Sequence, residues 1–138
     1  MSVEIHFDGA RGETDGVPTY QVGDEVKGRF SLTVDRDTHA RGVQLHVACF
    51  VHGSGTAETV DIVPEHFAFQ GDIQSGIPVY GTFSGRIPAE GPLTFAGRGI
   101  KFDWEVRVRV DIPFWRDQRF NYPFCVVPRQ RPEESDDE

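Results

Sequence analysis

The sequence predicts an all-β fold in which two layers of antiparallel strands pack face to face. Apolar and polar residues alternate through most of the chain, which is the pattern of strands with one buried face. Fifteen glycines and nine prolines are scattered among these segments and leave no window for a long amphipathic helix. Hydrophobic residues make up 38% of the chain and aromatic residues 12%, which is enough to fill a core between two sheets.

The alternation predicts about seven strands or more. In chain order their apolar faces run from Val3 to Phe7, Val26 to Val34, Leu45 to Val51, Thr59 to Val63, Ile77 to Ile87, Phe102 to Ile112 and Phe120 to Val127. The strand from Phe102 to Ile112 is the clearest, because its opposite face is charged at every position from Asp103 to Asp111. On the strand that begins at Leu45, Phe50 falls on the outward face beside His46, where another element or a partner would have to cover it.

Turn signals separate the predicted strands. They lie at 15–18, 22–24, 35–42, 52–55, 70–72 and 90–92, and each contains glycine or proline with aspartate, glutamate or another polar residue. One or two helical turns are expected at most, around 63–69 or 114–118. The predicted fold is therefore an immunoglobulin-like antiparallel β-sandwich. Its disulfide-and-tryptophan form is excluded, because Trp104 follows Cys49 by 55 residues and position 123 is proline.

The length of 138 residues predicts one domain, over residues 1–128. Residues 129–138 carry five acids, two bases and no apolar side chain, so this tail is expected to be disordered. The net charge is −8, of which −5 falls on residues 1–25 and −3 on 129–138, so the body between them is neutral. A chain without a basic surplus is not expected to bind nucleic acid or an anionic membrane.

The chain also lacks an apolar run long enough to span a membrane, and its first residues do not form a secretion signal. A cytoplasmic location is therefore the expectation. Cys49 and Cys125 each lie in an apolar stretch and are expected to be reduced thiols that pack as small hydrophobic groups.

Four segments resemble the arrestin family. Tyr20-Gln-Val-Gly-Asp-Glu-Val-Lys-Gly-Arg-Phe-Ser-Leu32 is similar to the family's Y-x-x-G-D-x-V-x-G segment. Residues 40–47, 85–113 and the closing Phe124-Cys-Val-Val-Pro128 follow in the family's order. The resemblance implies an arrestin-type sandwich in a noncatalytic protein-binding or adaptor module. Arrestins usually join two such sandwiches, whereas this chain has the length of one. A second copy of the chain is therefore one candidate partner, in a homodimer that would replace the missing sandwich.

The candidate partner-binding residues are aromatic side chains in expected loops and arginines on an exposed strand face, because Trp, Phe and Arg are typical of interface hot spots. They are Phe67, Phe69, Phe114, Trp115, Arg116, Arg107 and Arg109. For the aromatic residues, capping the open ends of the sandwich is the competing interpretation. For Arg107 and Arg109 it is ordinary ion pairing across strands. Phe95 is expected to plug one end of the sandwich.

The sequence contains no catalytic motif, so an enzyme is not expected, and no cofactor or metal ion is implied. The alternative is a small enzyme, or a protein that binds a metal ion or small ligand, with a site at one end of the sandwich. Such a site would need His46 or His52 beside Asp61 or Glu65.

Overall fold

In the computed structural model, which describes residues 1–53 and 58–129, the chain is built from ten β-strands. Their bounds are β1 Ser2–Asp8, β2 Gly12–Thr14, β3 Val17–Gln21, β4 Glu25–Thr33, β5 Thr38–Gly53, β6 Glu58–Ile73, β7 Val79–Arg86, β8 Phe95–Ala96, β9 Ile100–Asp111 and β10 Gln118–Val127. Residues 54–57 and 130–138 lie outside the described residues. With them lie half of the turn predicted at 52–55 and almost all of the acidic tail that the sequence predicts to be disordered.

The strands form the two sheets of a β-sandwich, as predicted. The small sheet has the order β1-β4-β7, and the large sheet has the order β2-β3-β10-β9-β5-β6 with β8 paired to β9. Alternate residues of β4 and β9 fill the core, among them Phe30, Leu32, Trp104 and Val108, each no more than 1% exposed. These two strands therefore follow the predicted alternation.

One pairing in the large sheet is parallel, which the antiparallel prediction did not include. Strand β10 lies between β9, to which it is antiparallel, and β3, to which it is parallel with Cys125 opposite Thr19. The buried Tyr20 of β3 packs edge-on against Phe124 of β10, with 5.7 Å between the ring centroids. Its hydroxyl donates a 2.8 Å hydrogen bond to the Asp8 carbonyl at the end of β1. Tyr20 thereby ties the parallel pair to the small sheet.

Strand β6 corrects two predictions. A helical turn was expected at 63–69 and a turn at 70–72. Both segments lie inside this 16-residue strand. Pro64 is compatible with it because β6 is an edge strand, where a missing N–H leaves no neighbour unpaired. Gly71, at φ 130°, lies beside a shift in the register between β5 and β6, and its backbone conformation lets the strand continue past this shift. The expected helical turn at 114–118 is likewise absent, since those residues form a non-helical turn and the start of β10.

Two apolar residues lie outside the positions predicted for them. Ile77 precedes β7 and is 55% exposed, so the strand begins two residues later than its apolar pattern indicated. Phe95 contacts Phe102 at 5.9 Å between centroids but is 47% exposed. It therefore lies on the surface of β9 and does not plug the sandwich.

The turn from β3 to β4 is fixed by Asp24. Its carboxylate accepts two hydrogen bonds from the Arg11 guanidinium, at 2.7 and 2.9 Å, and one from the Gln21 backbone N–H at 2.9 Å. The hydrogen bond from Arg11, opposed in part by desolvation, holds the pKa of Asp24 below its usual value. Gly23, at φ 85°, supplies the left-handed residue of this turn. No helix among the described residues has the length and apolar character needed to cross a bilayer.

Candidate functional site

The loop between β9 and β10 presents two aromatic side chains to solvent. Ile112 and Pro113 follow the last residue of β9. The Trp115 N–H donates a 3.1 Å hydrogen bond back to the Ile112 carbonyl, which closes a tight turn. Phe114 has φ 67° and is fully exposed, while Trp115 is 72% exposed. A left-handed conformation is unfavourable for a bulky side chain, so this turn holds Phe114 in solvent at an energetic cost. Arg116, the third predicted residue of this loop, is also exposed.

Trp115 lines a groove of about 630 Å³. The segment from β4 to β5 supplies the opposite wall, with Val34, Asp35, Asp37 and His39. The groove therefore presents both apolar side chains and carboxylates. Asp37 accepts a 2.9 Å hydrogen bond from the Ser75 N–H. The Asp35 side chain is 92% exposed and lies 3.6 Å from the Met1 ammonium, which also lines the groove.

Phe67 and Phe69 lie on edge strand β6 and not in a loop. Phe67 is 57% exposed, and its ring covers Gly42 of β5 so closely that a methyl group at position 42 would overlap it. Phe69 is half-buried against the core. The register pairs Gly42 with Asp111, three residues before Phe114, so Phe67 and the aromatic loop lie at the same end of the large sheet.

Phe50 is covered by its own sheet, which the alternation did not predict. It is only 6% exposed although it lies on the outer face of β5. The Arg107 guanidinium stacks on the ring at 3.4 Å from the centroid, and the His46 ring meets it edge-on at 5.3 Å. Arg107 also donates a 2.9 Å hydrogen bond to Glu105 of its own strand. No separate element is needed to cover Phe50.

Arg109 and Arg107 both line a second pocket, of about 250 Å³, on this outer face. The other principal side chains are Gln44, His46, Glu65 and Arg119. An Arg109 Nη donates to the Gln44 amide oxygen, while its Nε lies 3.8 Å from Asp117 and is buried without a hydrogen-bond partner. Sequence reasoning missed Arg119, because only the register of β10 places it directly opposite Arg109.

The residues that the alternative hypothesis required are in part brought together. His46 and Asp61 form a 2.7 Å contact, and Glu65 lines the same pocket as His46. His52 instead lies 3.5 Å from Asp103. These contacts are on the outer face of the large sheet and not at an end of the sandwich. Within residues 1–53 and 58–129, no group of three or more His, Cys, Asp or Glu side chains could hold a metal ion.

The two cysteines are separated by a strand. Cys49 on β5 and Phe124 on β10 both lie opposite Trp104 of the intervening β9. Two strand spacings of about 4.8 Å put β5 and β10 about 10 Å apart, which exceeds the span of a disulfide. Both thiols are free. Burial, with a smaller contribution from Asp103, raises the pKa of Cys49 to about 12, so this thiol is unreactive.

No protein-family model and no curated protein matches the sequence. Among solved structures, the chain is similar to the crystal structure of Spo0M, a sporulation control protein from Bacillus subtilis, with a TM-score of 0.64 and 16% sequence identity. The match covers 92% of this chain and 49% of the other, so this chain spans about half the length of the Spo0M chain. Spo0M has an arrestin-like fold. The likeness shows a β-sandwich of the arrestin type, and it shows the fold alone.

Proposed function

We propose that the chain is a noncatalytic protein-binding module of the adaptor class, and that its partner is held by the β9–β10 loop and the adjoining groove. The observation that carries the proposal is the fully exposed Phe114 in a left-handed conformation. A strained residue of this kind costs of the order of 1–3 kcal/mol and is retained where function requires it. Phe114 makes no stabilising contact with the core that would offset this strain, because its side chain is fully exposed. A role in binding explains why the strained conformation is kept.

The groove indicates the chemistry of the partner. Val34, Ile112 and Trp115 offer apolar surface. The two carboxylates beside it, Asp35 and Asp37, are balanced by Arg36 and by the Met1 ammonium, which lies 3.6 Å from Asp35. A partner segment with an exposed apolar side chain complements the apolar part of this surface.

The test separates binding from folding through Phe114→Gly. Glycine adopts φ 67° without strain, so this variant should be at least as stable as the parent protein while the aromatic ring is lost. Trp115→Ala removes the second ring. Tyr80→Ala is the matched control, because Tyr80 is 68% exposed on β7 of the other sheet.

The partner is identified by capture with the tagged chain, purified, and titrated calorimetrically against all three variants. Loss of a hot-spot aromatic is expected to weaken binding by at least tenfold for Phe114→Gly and Trp115→Ala. Tyr80→Ala should bind as the parent does. Unchanged affinity in both loop variants, with thermal stability preserved, would contradict the proposal. Light scattering identifies the case in which the partner is a second copy, since the mass then doubles with concentration and Trp115→Ala abolishes the doubling.

A further inference from the structure

We propose that the 250 Å³ pocket on the outer face of the large sheet binds a small oxyanion, a carboxylate or phosphate group held between Arg109 and Arg119. This pocket does not include the exposed residues Phe114, Trp115 and Arg116. The proposal therefore concerns a separate site and does not depend on the partner-binding function.

The first observation is a pair of like charges. Three arginines and Glu65 line the pocket, and Arg107 is paired with Glu105 at 2.9 Å, which leaves Arg109 and Arg119 beside each other. Arg109 and Arg119 are directly opposite each other on antiparallel strands, where like charges destabilise a sheet. Arg119 forms no ion pair within 4.0 Å among the described residues, and the Asp117 carboxylate stays 3.8 Å from Arg109 Nε. An anion between the two guanidinium groups would relieve their repulsion.

The second observation is an unsatisfied donor. Arg109 Nε is buried and is the only buried side-chain nitrogen or oxygen in the described residues without a hydrogen-bond partner. A buried charged donor without a hydrogen-bond partner is unfavourable, and the Asp117 carboxylate at 3.8 Å is too distant to accept one. The Arg109 guanidinium is therefore incompletely satisfied, and an oxyanion could accept charge-assisted hydrogen bonds from the several donors that Arg109 and Arg119 provide together.

The third observation is that two of the three arginines are held in place before any ligand arrives. Arg107 is fixed between Phe50 and Glu105, and Arg109 is fixed by its hydrogen bond to Gln44. Fixed side chains lose little conformational entropy on binding. A volume of about 250 Å³ accommodates a phosphate group or a short dicarboxylate.

The test measures thermal stability of the full chain with added inorganic phosphate or succinate, each matched by sodium chloride at equal ionic strength. Specific binding raises the melting temperature in a saturable way. Arg119→Gln should fold normally, because Arg119 is exposed, and should weaken the affinity at least tenfold. Arg98→Gln is the matched control, since Arg98 is an exposed arginine before the opposite end of β9. In a nitrogen-detected NMR titration, the Arg109 Nε–H resonance should move with the bound anion.

A response to phosphate alone assigns the site to phosphate-bearing ligands, and a response to succinate alone assigns it to carboxylates. Either result supports the proposal if Arg119→Gln loses it and Arg98→Gln keeps it. Equal responses in the parent and both variants mean a general salt effect and overturn it. The proposal is also overturned if neither anion stabilises the parent beyond sodium chloride, or if Arg109 Nε–H does not move.

Discussion

Substituting alanine for Gly28 should separate β1 from β4. A methyl group at this position would overlap the His6 backbone carbonyl of β1 and would lie 2.9 Å from the Phe83 ring of β7. A backbone carbonyl cannot rotate aside as the end of a long side chain can, so the small sheet must open. Gly12 of β2 is the matched control, because a methyl group there meets nothing within 4 Å.

The magnitude follows from the contact. Overpacking of this kind costs about 1–3 kcal/mol, whereas Gly12→Ala should gain about 0.4–1 kcal/mol by restricting the unfolded chain. In a domain of this size, 1 kcal/mol corresponds to roughly 3–5 °C in the melting temperature. Gly28→Ala should therefore melt roughly 3–15 °C below the parent protein, and Gly12→Ala should melt at the parent temperature or slightly above it.

Differential scanning calorimetry and urea denaturation measure both variants. The urea midpoint of Gly28→Ala should fall while the slope of free energy against urea stays the same, since the same surface is exposed on unfolding. If Gly28→Ala and Gly12→Ala melt together, β1 does not approach β4 as closely as described, and the reasoning is refuted.

Three further predictions concern titratable groups. Burial raises the pKa of Tyr20 to about 12, so stability is expected to fall as the pH rises from about 10 to 12, and Tyr20→Phe should flatten that part of the stability curve measured with urea. The depressed pKa of Asp24 contributes stability above pH ~4 that is lost on acidification, so the stability difference between the parent and Asp24→Asn should shrink as the pH falls below ~4. Burial raises the pKa of Cys49 to about 12, so an aromatic disulfide reagent at pH 8 should modify this thiol only when the protein unfolds. The test is labelling of the folded Cys125→Ser variant, in which Cys49 is the remaining cysteine. Prompt labelling of this variant would contradict the burial of Cys49.

The strands that could be predicted from the sequence are those with one face entirely in the core and the other entirely toward solvent. β9 and β4 have the core on one side and solvent on the other, so their period-2 pattern is complete. β6 could not be predicted in full, because Pro64 and Gly71 interrupt its pattern and only its edge position in the sheet makes them tolerable. The parallel pairing of β3 with β10 joins distant segments, and no local pattern specifies it.

The candidate sites show the same division between local and long-range information. Composition indicated Phe114 and Trp115 as exposed loop residues, and their exposure is confirmed. The cover over Phe50 depends on Arg107 from a neighbouring strand, which alternation within β5 does not contain. The juxtaposition of Arg109 with Arg119 depends on the register set by the β9–β10 loop. Pairings across strands were therefore the part that the sequence could not supply.

The parallel pair also constrains the order in which the chain can fold during synthesis. Residues 19–21 find their partners in 125–127, about a hundred residues further along the chain. At about 5–20 residues per second, the ribosome needs roughly 5–20 s to supply β10 after β3 has emerged. Throughout that interval one edge of β3 is open to pairing with other nascent chains. Pro18 lies within this strand and has no N–H to donate, and a proline on an open strand edge disfavours pairing with another chain.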